Sequence, residues 1–292
     1  MKYDFYKTSL ALLITFSLVS CEDFFETTLE LEVPEAESQL VLGAVLSSNS
    51  TTAAAALSET VSLQADPTIG FINDGEVNLQ LPSGDSFMLN ATGQEGAYSS
   101  TMPVAYETGS YTITADAPDG RSVTATAALP SKPLISEATA TFNENPNSDR
   151  FNWIAVDIII QDEPSSSNFY KVDLCIKLRD AGQHCPYIES DDPNVFQSSD
   201  YPSMLLSDAT FEDESYRLRV YFSKYFDQER LQYVKVNVAG ISEDHYRYDR
   251  YLTAQQENED NPFTSPVQLH TNIEGGQGLF AIEHVNTYEI EF

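Results

Sequence analysis

Short runs in which apolar and polar residues alternate fill the stretch from Gln39 to Pro130: Leu40 to Leu46, Glu59 to Leu63, Glu76 to Leu81, Ser86 to Leu89, Ser110 to Ala115 and Ser122 to Thr126. Turn residues bound them, in Asn73-Asp74-Gly75, Pro82-Ser83-Gly84-Asp85 and Pro118-Asp119-Gly120. A period of two marks strands with one buried face, and the regular spacing of the turns predicts an antiparallel sandwich. Ala53 to Ala56 would suit a helical turn, but the run is too short and uncapped to displace that pattern.

Leu129-Pro130-Ser131-Lys132-Pro133 interrupts the alternation, since proline supports neither a helix interior nor a sheet ladder. Beyond it the runs lengthen. Trp153 to Ile160, Phe169 to Leu178, Tyr216 to Phe222 and Tyr233 to Ala239 are rich in β-branched and aromatic residues and read as strands. One helix stands apart. Ser242 is placed to cap it, Glu243 and Asp244 suit the positive end of its macrodipole, and Tyr248, Tyr251, Leu252 and Gln255 recur every three or four residues up to about Gln256. The polar run from Glu257 to Asn261 and then Pro262 end it, and glycines 275, 276 and 278 lead into a last strand from Leu279 to Val285 and on to Ile290. The expected fold is mostly β. An immunoglobulin-like sandwich over residues 38–130, in which Tyr111-Thr112-Ile113 after Gly109 fits a tyrosine corner, precedes a second β-rich domain over 134–292 with one C-terminal helix near 242–256.

The first residues follow a different rule. Lys2 and Lys7 precede an apolar run from Leu10 to Val19 that is too short to span a bilayer, and Ser20 precedes Cys21. That order reads as a secretory signal over residues 1–20. Leu18-Val19-Ser20-Cys21 resembles the bacterial lipobox, in which the cysteine carries lipid and becomes the first residue after cleavage. An ordinary signal with an incidental cysteine is the plainer alternative. Glu22 to Val33 is acidic, with neither Lys nor Arg and no clear period, so residues 21–37 are expected to form a tether. Its start, Cys21-Glu22-Asp23, resembles the acidic signal that directs many Bacteroidota lipoproteins to the cell surface. The expected location is the outer membrane, lipid-anchored and facing outward.

Charge narrows the partners. Against 45 Asp plus Glu the chain has 15 Lys plus Arg, a net charge of −30. Such a surface repels phosphates and anionic head groups, which excludes nucleic acid and leaves the N-terminal lipid as the contact with the membrane. With Cys21 assigned to lipid, Cys175 and Cys185 remain. Val172, Leu174, Ile176 and Leu178 alternate as a strand, and Asp180-Ala181-Gly182 offers a turn. A hairpin centred on Asp180 sets the two cysteines opposite each other, at Cα separations of about 4.5 to 5.5 Å that suit a disulfide. An even pair outside the reducing cytosol favours that reading. The rival is a metal site using His184 beside Cys185, and it lacks the further ligands of a tetrahedral site.

Catalytic patterns fail on inspection. Gly84-Asp85-Ser86-Phe87 resembles the nucleophile block of GDS-type lipases, but the partner block needs Asp and His three apart, and Asp180 and His184 are four apart. The glycines at 275, 276 and 278 lack the Lys-Ser/Thr of a phosphate loop and lead into a strand, so they serve backbone conformation. Asn143, Asn145, Asn147 and Asp149 start like a calcium loop, yet its twelfth position is Ile154. Weak calcium binding at acidic loops such as Asp191-Asp192 stays open. No cofactor is expected, and the chain is not expected to be an enzyme. The long acidic loop from Glu189 to Pro202 is where a contact surface is expected, with Tyr187, Phe196 and Tyr201 as candidate ligand contacts; burial at strand ends would explain these aromatics equally well.

The closing stretch carries a resemblance. Ser242 with Tyr246 and Tyr248, then Asn261-Pro262-Phe263, then Thr271-Asn272-Ile273-Glu274-Gly275-Gly276-Gln277-Gly278-Leu279-Phe280 resemble the C-terminal signature of domain of unknown function family 4249, and Leu206-Ser207-Asp208-Ala209-Thr210-Phe211 and Gly109-Ser110-Tyr111-Thr112 are similar to further blocks of it. The resemblance implies a Bacteroidota outer-membrane lipoprotein, often found beside a TonB-dependent receptor, and brings no catalytic residues. The expected role is a non-catalytic surface lipoprotein that captures a ligand for, or docks on, a TonB-dependent transporter. The alternative is an adhesive or structural surface module.

Overall fold

In chain order, the elements of the computed structural model are β1 (Leu40–Ser47), β2 (Thr52–Glu59), β3 (Gly70–Phe71), β4 (Glu76–Gln80), β5 (Ser86–Ala91), β6 (Ala97–Thr101), β7 (Ser110–Asp116), β8 (Ser122–Ala128), β9 (Leu134–Asn143), β10 (Trp153–Gln161), β11 (Phe169–Leu178), β12 (Gln183–His184), β13 (Val195–Gln197), β14 (Ser203–Ser207), β15 (Ser215–Ser223), β16 (Leu231–Ile241), α1 (Glu243–Asn258) and β17 (Gln277–Glu291). The structure describes residues 37–61, 69–103, 105–143, 149–162, 167–197, 202–211, 215–258 and 267–292. Cys21, the signal and almost all of the tether lie outside the described residues, as does Tyr201. Ser38–Phe292 forms one compact unit.

A long sheet runs in the order β13-β14-β11-β16-β17-β1-β2-β6-β5-β4-β7-β8, with β12 on β11 and β3 on β2; β15, β10 and β9 make a separate three-stranded sheet. Alternation places the cores. Leu40, Leu42, Ala44 and Leu46 of β1 face a first core with Val77, Leu79, Tyr111, Ile113 and Phe280. On β10, Ile154, Val156, Ile158 and Ile160 are all fully buried and face a second core with Leu174, Ile176, Val220, Phe222 and Val236. Strand β5 pairs with β4 through Ser86 to Leu89 and with β6 through Asn90 and Ala91, so it turns the corner that folds β4, β7 and β8 back over the first core. A bridge between Thr124 and Glu274 fastens β8 to the segment entering β17.

β17 is shared. Phe280 and Ile282 pack in the first core, while Tyr288 and Ile290 pack against the second. Its first half runs parallel to β1, pairing Val41 with Gln277 through Ser47 with Glu283. Its second half is antiparallel to β16. At the start of the parallel pairing with β1, Gly278 has φ +114°, and a Cβ there would lie 2.1 Å from the carbonyl oxygen of Leu42, so only glycine fits. The proline-rich stretch before β9 lies along the same strands: His284 Nδ1 is 2.8 Å from the carbonyl oxygen of Pro130, Asn286 Nδ2 donates to that of Pro133, and a Cβ on Gly240 would meet that of Ser131 at 2.3 Å.

Two expected elements differ. Of the strand expected over Glu59 to Leu63, β2 ends at Glu59, Thr60 and Val61 lie outside any strand, and Ser62 and Leu63 lie outside the described residues; the core-facing residues of β2 are Ala53, Ala55 and Leu57. On β2 alanine occupies both buried and exposed positions, and alternation of alanine with alanine leaves no hydropathy signal. In α1, Ser242 Oγ accepts from the backbone N–H of His245. The side facing the sheet, however, is the i, i+4, i+8 stripe of His245, Asp249 and Thr253, and Tyr251 from the expected apolar stripe is 43% exposed. The sheet beneath presents Lys171 and Glu283, so a polar stripe is what matches it.

Candidate functional site

Three places bring functional groups together. The first lies under α1. Lys171 Nζ on β11 sits 3.2 Å from Glu283 Oε1 on β17 and 3.5 Å from Asp249 Oδ2 on the helix. His245 Nε2 is 3.3 Å from the same Asp249 oxygen, and its Nδ1 is buried without a hydrogen-bond partner. Nearby, Asp173 accepts from Asn237 Nδ2 at 2.7 Å, and Asn237 accepts in turn from Thr287 Oγ1 at 2.9 Å. Burial opposes the charge on Lys171, but Glu283 and Asp249 prevail and raise its pKa above the ordinary 10.5. Burial likewise opposes the charge on Asp249, and His245 and Lys171 outweigh it and hold the carboxyl below 3.8. Asp173 goes the other way, raised chiefly by burial. With His245 only 1% exposed, no substrate reaches the imidazole. The arrangement locks α1 to the sheet by charge, beside a cavity of about 100 Å³ lined by Phe196, Leu205 and Thr253 among others.

The second is a groove of about 760 Å³ between the stretch from Pro130 to Leu134 and the start of α1. Asp162 on its wall accepts from Tyr170 Oη at 2.8 Å and from Asn168 Nδ2 at 3.2 Å. Behind it, Asp208 accepts from the backbone N–H of Asn168, and burial, then the charge of Asp162, raise its pKa. Both carboxylates hold Asn168 at the entry to β11.

The third is the solvent face of the β9-β10-β15 sheet. Because Ile154, Val156 and Ile158 point to the core, Trp153, Ala155 and Asp157 point outward, as do Arg219 and Tyr221 on β15. Arg219 makes a two-point contact with Asp157, at 2.8 and 2.7 Å. Arg150, paired with Asp191, lies over the rings of Tyr221 and Trp153, at 4.0 and 5.9 Å from their centroids.

Cys175 and Cys185 are joined by a disulfide, Cα to Cα 4.0 Å, at the base of the β11-β12 hairpin, where Ile176 pairs with His184. With both sulfurs bonded to each other, neither serves a metal beside His184. Among the described residues no group of three or more His, Cys, Asp or Glu side chains is arranged to hold a metal ion. Tyr187 is 61% exposed, two residues before Glu189, which bridges to Tyr221 on β15. Phe196 lies elsewhere: on β13 it pairs with Leu205, packs in a small cluster with Ile241 and Tyr246, and has the Arg250 guanidinium over its ring at 5.1 Å. The structure therefore does not bring these two candidate contacts together. Sequence reasoning missed Trp153, Tyr221 and Arg150; the available signal was the aromatic and charged residues at the outward positions of two strands.

No curated protein matches the chain. Among solved structures, a DUF4785 family protein from Legionella pneumophila is 10% identical, with 70% of this chain and 53% of that one covered and a TM-score of 0.27. The alpha-2-macroglobulin of E. coli is 14% identical over 72% of this chain and 13% of that one, at a TM-score of 0.22. A putative carbohydrate binding protein from Bacteroides uniformis is 9% identical, covering 87% and 98%, at 0.22. At these scores the likeness carries no inference about fold or function. The family comparison is of another kind: the domain of unknown function DUF4249 matches residues 26–289, nearly the whole chain, and the protein belongs to that family.

Proposed function

We propose that this is a non-catalytic lipoprotein, anchored through lipid on Cys21 at the outer surface of an outer membrane, which captures a ligand for or docks on a TonB-dependent transporter. The observation that carries the reading is the disulfide between Cys175 and Cys185 in a chain that begins with a signal-like run ending at Ser20-Cys21. Disulfides persist outside the reducing cytosol, which agrees with export. Membership of DUF4249 is consistent with the lipoprotein reading, and the hydrogen bonds between Tyr111 Oη and the backbone of Glu107, four residues upstream, support an immunoglobulin-like reading of the first core. Both exposed faces described above, the groove and the aromatic sheet face, offer contact surface.

The test is purification of the tagged, full-length chain from membranes in mild detergent, with mass spectrometry of what co-purifies. A stoichiometric TonB-dependent barrel, together with a lipid-sized mass increment that disappears in Cys21→Ala, is the expected result. A chain that carries no lipid and brings down no barrel overturns the proposal.

A further inference from the structure

We infer that the end of the molecule farthest from Ser38 is a surface on which two copies of this chain pair about a two-fold axis. Four segments converge there. Lys177 pairs with Tyr233 and Tyr233 with Glu291, the His184 and Tyr225 rings lie 6.0 Å apart, and the Lys224 N–H donates to the Asn152 carbonyl. Gln277, at the other end of β17, bonds Gln39, so the 15 residues of β17 put roughly 45 Å between this tip and the start of the described unit.

Charge singles the tip out. Residues 149–152, 177–188, 223–235 and 288–292 hold six Lys and Arg and six Asp and Glu, whereas the rest of the chain holds nine against 39. Two copies at a net charge of −30 each repel through the rest of their surface, and the tip is where local charge balances. Apolar surface lies in the same place. Phe151, Tyr187 and Tyr225, on three loops that meet there, are 42, 61 and 62% exposed, and the hairpin before Tyr187 is closed by the Cys175–Cys185 bond. Exposed aromatic rings gathered at one place are the usual anchors of a protein contact.

The same end carries a recess of about 440 Å³ lined by Arg179, Gln228, Glu229, Leu231 and Phe292. Arg179 donates to the backbone oxygens of Glu229 and Phe292, and among the described residues neither it nor Glu229 forms an ion pair with another side chain. These two charges select the occupant. A partner of one sign would answer only one of them, whereas an isologous contact sets residue i against j and j against i, so a second copy answers both. The two Ser38 ends then lie at opposite extremes of the pair, and anchored copies meet tip to tip from facing surfaces.

The full-length chain in mild detergent is run in sedimentation equilibrium over a concentration series. A monomer–dimer equilibrium with a dissociation constant of about 100 μM or tighter is expected, and it should be the same in Cys21→Ala, because the anchor is remote from the tip. Tyr225→Ala, Arg179→Glu and Glu229→Arg should each weaken pairing about tenfold or more. An equimolar mixture of the Arg179→Glu and Glu229→Arg chains should recover a dimer, since each reversed charge then faces its opposite across the axis; mixing would not repair a loss of fold. A chain that stays monomeric throughout, a dimer undiminished in Tyr225→Ala and Glu229→Arg, a dimer that needs the lipid on Cys21, or a mixture that stays monomeric overturns the inference. Co-purification of a transporter is read separately. A chain that brings down its barrel but never pairs sinks this inference and leaves the functional proposal standing, and a dimer without a barrel does the reverse.

Discussion

Lys171 is the residue on which the seat of α1 depends. Replacing it with methionine leaves the carboxylates of Asp249 and Glu283 facing each other without their cation, and a loss of about 3 kcal/mol is expected by chemical denaturation at neutral pH. The pH dependence follows from the directions of the shifts. Asp249 titrates below 3.8 in the fold, so what it contributes is complete above that pH and is lost as pH falls through the folded value. Lys171 titrates above 10.5, so its contribution is complete below that pH and is lost as pH rises past the folded value. The cost of Lys171→Met should therefore be greatest between the two limits. Asp173 has the opposite sign: burial raises its pKa, so ionising it costs stability, and Asp173→Asn, which keeps an oxygen for Asn237, should raise Tm at pH 7 and leave it unchanged well below pH 3.8. An unchanged Tm at pH 7 would show that the folded protein tolerates the charge. None of this cluster was legible in the sequence, because Lys171, Asp249 and Glu283 are far apart in the chain and meet only through tertiary packing.

At the scale of elements, the strands with strong alternation were legible and the rest were hidden for definable reasons. Phe169–Leu178 is read to the residue from its β-branched and aromatic content. Strand β2 was concealed by alanine on both faces, and α1 buries polar residues, so its period pointed to the wrong side. Strand β9 was hidden because Leu134–Asn143 follows two prolines and its middle, Ala138-Thr139-Ala140-Thr141, shows little contrast between its faces. Among these elements the β11-β12 hairpin is closed by the Cys175–Cys185 bond, over a sequence separation of 10. The double variant Cys175→Ala, Cys185→Ala should lose about 3 kcal/mol in urea unfolding under oxidising conditions and match the wild type once the latter is reduced. Gly278→Ala should cost about 2 kcal/mol or more, since both its φ and its contact with Leu42 exclude a methyl group. A stable Gly278→Ala protein would mean that β1 and β17 can separate without loss.

For the whole molecule, the shared strand decides cooperativity. Because β17 contributes Phe280 and Ile282 to one core and Tyr288 and Ile290 to the other, neither core is complete without it. Thermal unfolding of the full chain is expected to follow one transition by both tryptophan emission and far-ultraviolet circular dichroism, and two separated transitions would show the cores to be independent. The parallel pairing of β1 with β17 also requires ends of the described unit to meet across more than 200 residues of chain, which the sequence pattern alone does not reveal. That same pairing has a mechanical meaning. A pull that enters at Ser38, where a membrane tether would join, and leaves at Glu291 runs along two parallel strands in opposite senses, so the seven residue pairs from Val41–Gln277 to Ser47–Glu283 carry the load together in shear. Across the β7-β8 hairpin, force applied between Ser110 and Ala128 would open the bonds one after another, like a zipper. Optical-trap pulling through cysteine handles should therefore rupture the first geometry at the higher force.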